Sequence, residues 1–97
     1  AERLPRVDVG VLSAAAYDPD GRLGLASAGE IGARTLLPEH PAVTEALIGE
    51  AHQLGLSLIT WTVDDPVRVR TLAAWGADGI ICDDPASALE SLGRSSV

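Results

Sequence analysis

Two pairs of aspartates are the residues best suited to chemistry. Asp64-Asp65 and Asp83-Asp84 each follow an apolar run and each precede a proline. If the two runs are adjacent strands, the pairs lie about 5 Å apart at the same sheet end. Four convergent carboxylates suit a hard cation such as Ca²⁺ or Mg²⁺. The same residues have a plainer use. An Asp before Pro caps a helix, and a second carboxylate there is favoured by the helix dipole. That use accounts for three or four of the acids with no ligand. His40 follows another apolar run, so it either meets substrate or carries a proton, or it stands in solvent on a loop. Trp61 lies near the end of its run. It lines a pocket there, or it packs at the sheet end with its indole N–H satisfied.

Other residue types offer less. Ser13, Ser57 and Thr60 have no His and Asp arranged around them, so no nucleophilic triad can be argued. The glycines from Gly21 onward are not followed by Lys-Ser/Thr and do not spell a phosphate loop. The lone Cys82 excludes an internal disulfide and a four-Cys metal site. It lies in an apolar run and reads as a reduced core thiol, which leaves the compartment open with the cytoplasm favoured.

These residues need elements to position them. Four apolar runs read as buried strands: Val7–Ala14, Arg34–Leu37, Leu56–Val63 and Gly79–Cys82. Their spacing is close to the roughly 31 residues per unit of an eight-unit βα barrel of about 250 residues. Runs apolar on both faces suit a parallel sheet covered by helices. Thr44 is predicted to cap a helix to about Leu54, with the stripe Leu47, Ile48, Ala51, Leu54 and a stop at Gly55. His52 falls on that helix's polar side and should be at the surface. Asp65-Pro66 opens a second helix burying Val69, Leu72 and Ala73 and ending at Trp75-Gly76. Asp84-Pro85 repeats the signal before Ala88, Leu89, Leu92 and Gly93. Between the first two strands, Tyr17-Asp18-Pro19-Asp20-Gly21 reads as a turn. The glycines after it predict only a short or irregular helix around Leu25–Ile31. The tail Arg94–Val97 should fray.

Composition narrows the classes. The chain has 97 residues, 46% of them hydrophobic, which fits one globular domain spanning residues 1–97. The net charge of −7 would repel nucleic acid and acidic membrane surfaces, and the seven basic residues form no patch. No run approaches the roughly 18 apolar residues of a membrane span, and Ala1-Glu2-Arg3-Leu4-Pro5 has no secretory pattern. With no Met anywhere, the chain is expected to be a processed or excised piece.

Two segments carry a family resemblance. Ile59-Thr60-Trp61-Thr62-Val63-Asp64-Asp65-Pro66 is followed by Gly76-Ala77-Asp78-Gly79-Ile80-Ile81-Cys82-Asp83-Asp84-Pro85. Upstream stand Leu37-Pro38-Glu39-His40, Thr44 and His52-Gln53-Leu54-Gly55. In this order and spacing they resemble the late-barrel strands of the glycerophosphodiester phosphodiesterases, which read Trp-Thr-Val-Asn-Asp and Gly-Val-Asp-Gly-Ile-Ile-Thr-Asp-x-Pro. Asp64 stands where the family has Asn, Cys82 where it has Thr, and Asp84 where it often has Arg. Residues 1–35 fit loosely, as a fifth strand and its loop.

The resemblance implies an α/β fold: strands five to eight, the C-terminal half, of a (β/α)₈ TIM barrel, parallel strands alternating with helices. It implies part of a phosphoric diester hydrolase of lipid metabolism, converting a glycerophosphodiester and water to an alcohol and glycerol 3-phosphate. The family's His-Arg-Gly, Glu-x-Asp, second catalytic His and Glu-x-Lys have no counterpart here. No catalytic or metal-binding residue is therefore expected in this chain, which alone should be inactive. A divalent metal, Ca²⁺ or Mg²⁺, is expected for the full-length parent. Trp61 matches a Trp near the glycerol moiety, and His40 is the second candidate substrate contact. The expected partner is the missing N-terminal half-barrel or a second copy. The second copy is the non-catalytic alternative, a homodimer paired through open sheet edges.

Overall fold

The computed structural model describes residues 9–84 and Ala86. The elements alternate as the pattern predicts. They are β1 (Gly10–Ser13), α1 (Arg22–Ile31), β2 (Thr35–Pro38), a 3₁₀ turn (His40–Ala42), α2 (Glu45–Gln53), β3 (Ser57–Thr60), α3 (Pro66–Ala74) and β4 (Gly79–Ile80). The strands form one sheet in the order β1-β2-β3-β4, and every neighbouring pair is parallel. Gly10, Thr35 and Ser57 stand in one register row, and Ile59 pairs with Gly79. β1, β3 and β4 are shorter than their apolar runs, while β2 equals its run in length, shifted by one residue. Among the described residues no helix is long and apolar enough to cross a membrane.

Local chemistry starts and stops α2 and α3 as read. The Thr44 hydroxyl accepts from Leu47 N–H at 3.1 Å, and Gly55 takes the left-handed conformation at φ 76° that favours glycine. Leu47, Ile48 and Ala51 are buried, each Leu or Ile worth about 1.5–3 kcal/mol. Leu54 departs from the predicted stripe and is 62% exposed. It is the C-cap, where ψ near 4° leaves helical geometry and turns the side chain outward. The Asp65 carboxylate accepts from Val67 N–H at 3.0 Å, ahead of Pro66 at the first helical position. Val69 and Leu72 are buried beneath it, while Ala73 is only half-buried. The helix predicted after Asp84-Pro85 and the tail Arg94–Val97 lie outside the described residues.

Helix α1 is longer and more regular than its glycines imply. Asp18, 3% exposed, accepts from Leu23 N–H at 3.1 Å and Gly24 N–H at 2.8 Å. That one carboxylate satisfies two otherwise orphaned donors of the first turn. Gly21, at φ 74°, lets the chain enter without a side-chain cap of its own. Gly24 is needed for close approach: a Cβ there would stand 3.1 Å from Leu36 and 3.2 Å from the Ser13 hydroxyl. Packing on β1 and β2 thus offsets the propensity cost.

The sheet has two unlike faces. Leu36, Leu58 and Thr60 point into the layer of helices and are fully buried. Leu36 and Leu58 form one cluster with Ala28, Leu47, Ile48, Val69 and Leu72, and the Thr60 hydroxyl donates to Pro38 O at 2.9 Å. The alternate residues face away. On that side Leu12 is 69% exposed and Ile81 48%. Cys82, read as a core thiol, is half-buried, because β4 ends two residues earlier.

Candidate functional site

The candidate residues gather at the C-terminal ends of the strands, held by a web of main-chain bonds. Glu39 N–H donates to Ser13 O at 2.9 Å, and the Glu39 carboxylate accepts from Ala15 N–H at 2.9 Å. This ties the end of β2 to the end of β1. His40 N–H donates to Trp61 O at 2.8 Å, tying β2 to β3. Val63 N–H donates to Ile81 O at 2.9 Å, tying β3 to β4. Parallel strands entering helices of similar length end level with one another, so the four joints share one face.

His40 and Trp61 are brought together there. Both are half-buried. The Trp61 indole N–H is satisfied by Leu37 O at 2.8 Å, which fixes the ring against β2. His40 opens the 3₁₀ turn, and its Nδ1 is buried with no hydrogen-bond partner. His52 lies apart from this pair, exposed and bound to Asp78 Oδ2 at 2.7 Å. Asp78 also accepts from Leu58 N–H at 2.7 Å. Its burial acts to raise the carboxyl pKa, but the bonds from Leu58 and His52 and the His52 charge outweigh it and lower the pKa.

Asp64 and Asp65 serve the backbone. Asp65 is the α3 cap. Asp64 is not merely a carboxylate near a helix start, as its position implies: its Oδ1 accepts from Asp83 N–H at 3.2 Å across the β3–β4 joint. Among the described residues no three of His, Cys, Asp and Glu converge into a metal-binding group. A hollow of about 310 Å³ lies instead beside β1, lined by Ser13, Tyr17, Asp18, Leu23 and Ser27 among others, and it includes neither His40 nor Trp61.

Three contributors escape a reading of the sequence. Asp18 carries a cap signal, but it is masked by the following Pro19-Asp20-Gly21 turn. Glu39 and Arg68 give no signal, because their partners lie 24 to 28 residues away. Arg68 Nη2 donates to His40 O, and to Val43 O at 3.0 Å.

A search of curated proteins finds no match. Among solved structures, the chain is similar to one described as a glycerophosphoryl diester phosphodiesterase from Silicibacter pomeroyi DSS-3. The TM-score is 0.78 at 31% identity, over 92% of this chain and 32% of that one. It also shares its fold with a glycerophosphodiester phosphodiesterase from Parabacteroides distasonis ATCC 8503, with TM-score 0.72 and 24% identity over 92% of this chain and 35% of that one. The chain spans about a third of the length of each. The family model of the glycerophosphoryl diester phosphodiesterases matches residues 1–87, and the chain belongs to that family.

Proposed function

We propose that this chain is the C-terminal half, strands five to eight, of a (β/α)₈ barrel. Its parent hydrolyses glycerophosphodiesters to an alcohol and glycerol 3-phosphate. Residues 1–97 act as one domain that supplies scaffold and one wall of the substrate pocket, with Trp61 and His40 as its contacts. The observation that carries this reading is the family match over residues 1–87 in a chain one-third the length of its solved relatives. The sheet face with Leu12 and Ile81, which none of the described elements covers, supports it, because a closed barrel fills that side with side chains from every strand.

The chemistry of the parent must then come from elsewhere. The resemblance implies a divalent metal, Ca²⁺ or Mg²⁺, but among the described residues no three of His, Cys, Asp and Glu converge to hold one. No acid, base or metal step is assigned to this chain. The 97-residue protein alone should give no metal-dependent turnover of a glycerophosphodiester. Turnover that is lost on Trp61→Ala would overturn the division of labour. The pocket role itself is read in a barrel completed with the first half of the Silicibacter relative. There Trp61→Ala should raise KM more than it lowers kcat, and an unchanged KM would sink the contact.

A second reading rests on the exposed Leu12 and Ile81. Two copies pairing β4 to β1 would close eight strands into a non-catalytic homodimer. The mass in solution decides, and a strict monomer with a stable melting transition rules it out.

A further inference from the structure

The 3₁₀ turn after β2 has little to hold its first side chain. The His40 Nδ1 is buried with no hydrogen-bond partner, so the imidazole is not anchored by its own ring nitrogen. The position of the ring follows from the turn beneath it. That turn is gripped from outside by α3. One terminal nitrogen of Arg68 donates to His40 O and to Val43 O, which are the first residue of the turn and the residue that closes it. The guanidinium is braced in turn by Trp75, its carbon 5.4 Å from the ring centroid. Charge-assisted bonds to carbonyls are stronger and more directional than neutral ones. A planar guanidinium stacks on an aromatic ring, which an ammonium does less well.

We propose that Arg68 is a positioning residue for the functional face. It holds the His40–Val43 turn against α3 and so sets where the His40 imidazole stands at the β2–β3 joint. The proposal rests on the reading of that face as a pocket wall, but its test does not need the pocket. Arg68 itself touches no substrate. Its place on the helix after β3 couples the β2 joint to the β3 joint through a side chain, in addition to the bond from His40 N–H to Trp61 O.

The chain's two histidines make the test direct. Proton NMR of the 97-residue protein resolves two imidazoles, with His52→Gln assigning them. Arg68→Ala should move the His40 ring signals beyond their line width and leave the His52 signals in place, because His52 is held separately by Asp78. Arg68→Lys, which keeps the charge and loses the planar stack, should move His40 less. The proposal is overturned if Arg68→Ala leaves His40 where it was, or if both histidines move together as in a general loss of packing. Should Arg68→Ala not fold, Arg68→Lys decides: His40 shifted alone supports the proposal, and His40 unshifted overturns it. Glycerol 3-phosphate added to the same samples reads the pocket separately. A His40 signal blind to it sinks the pocket role of His40 and leaves the Arg68 result standing.

Discussion

On one face of the sheet, Leu36, Leu58 and Thr60 are fully buried under three helices. On the other, Leu12 and Ile81 stand largely in solvent. The residue types on the two faces are alike, and the strands alternate between them. A parallel sheet covered on both sides reads as continuous apolar runs, and these strands read that way. The difference therefore does not come from the strands themselves. It comes from what lies against each face: α1, α2 and α3 on one, and none of the described elements on the other. The comparison teaches that strand pattern alone does not decide burial: only the face that α1, α2 and α3 cover has its side chains out of water.

Substitutions on the two faces should break or sharpen this contrast. The largest effect is expected from Leu58→Ala, which removes a fully buried side chain from the shared core. It should cost about 2–5 kcal/mol in urea or thermal unfolding. Leu12→Ala on the bare face should cost less than about 1 kcal/mol, in line with surface positions. Equal losses at the two positions would mean that the bare face is covered in solution.

Next is Asp18→Ala, which leaves Leu23 N–H and Gly24 N–H without their acceptor. A loss of about 1–3 kcal/mol is expected, with helical circular dichroism falling as α1 frays. Asp65→Ala removes one exposed cap and should cost about 1 kcal/mol. If Asp65 proved the costlier of the two, the account of α1 as a helix rescued by a buried carboxylate would fail.

The smallest effect is pH-dependent. The Asp78 pKa is lowered in the folded chain by Leu58 N–H and His52. A depressed carboxyl pKa adds stability that is present above its unfolded value and is lost as pH falls through the folded value. The stability advantage of the wild type over Asp78→Asn should thus persist at neutral pH and shrink below about pH 4. Because the side chain is 40% exposed, salt should weaken the effect. An advantage that grows on acidification would reverse the assignment.

Much of this architecture is legible in the sequence. Thr44, Gly55, Asp65 and Pro66 act within three or four residues of themselves, so their roles follow from local geometry. The order of apolar runs and the Asp-Asp-Pro joints implied parallel βα units, and the pairing bears that out. The length of α1 exceeds what its glycines predict. Propensity counts the glycines and cannot see that Gly24 faces Leu36 across a gap too narrow for a Cβ. Helical period places Leu54 in the buried stripe, but α2 ends one residue before it. At the candidate site, His40 and Trp61 could be placed on one face from strand ends alone, whereas the hold of Arg68 on the His40 turn could not.

The sequence by itself determined where α2 and α3 begin and end, which runs become strands, and to which family the chain is similar. These depend on side chains reaching their own neighbouring backbone and on apolar period, both short-range. Only the tertiary structure decided which face of the sheet is covered, that Asp64 binds the next strand's backbone, and that Arg68 reaches His40 from 28 residues away. Those contacts join distant segments, and the entropy of closing such loops is repaid only when the sheet and its helices are already in place.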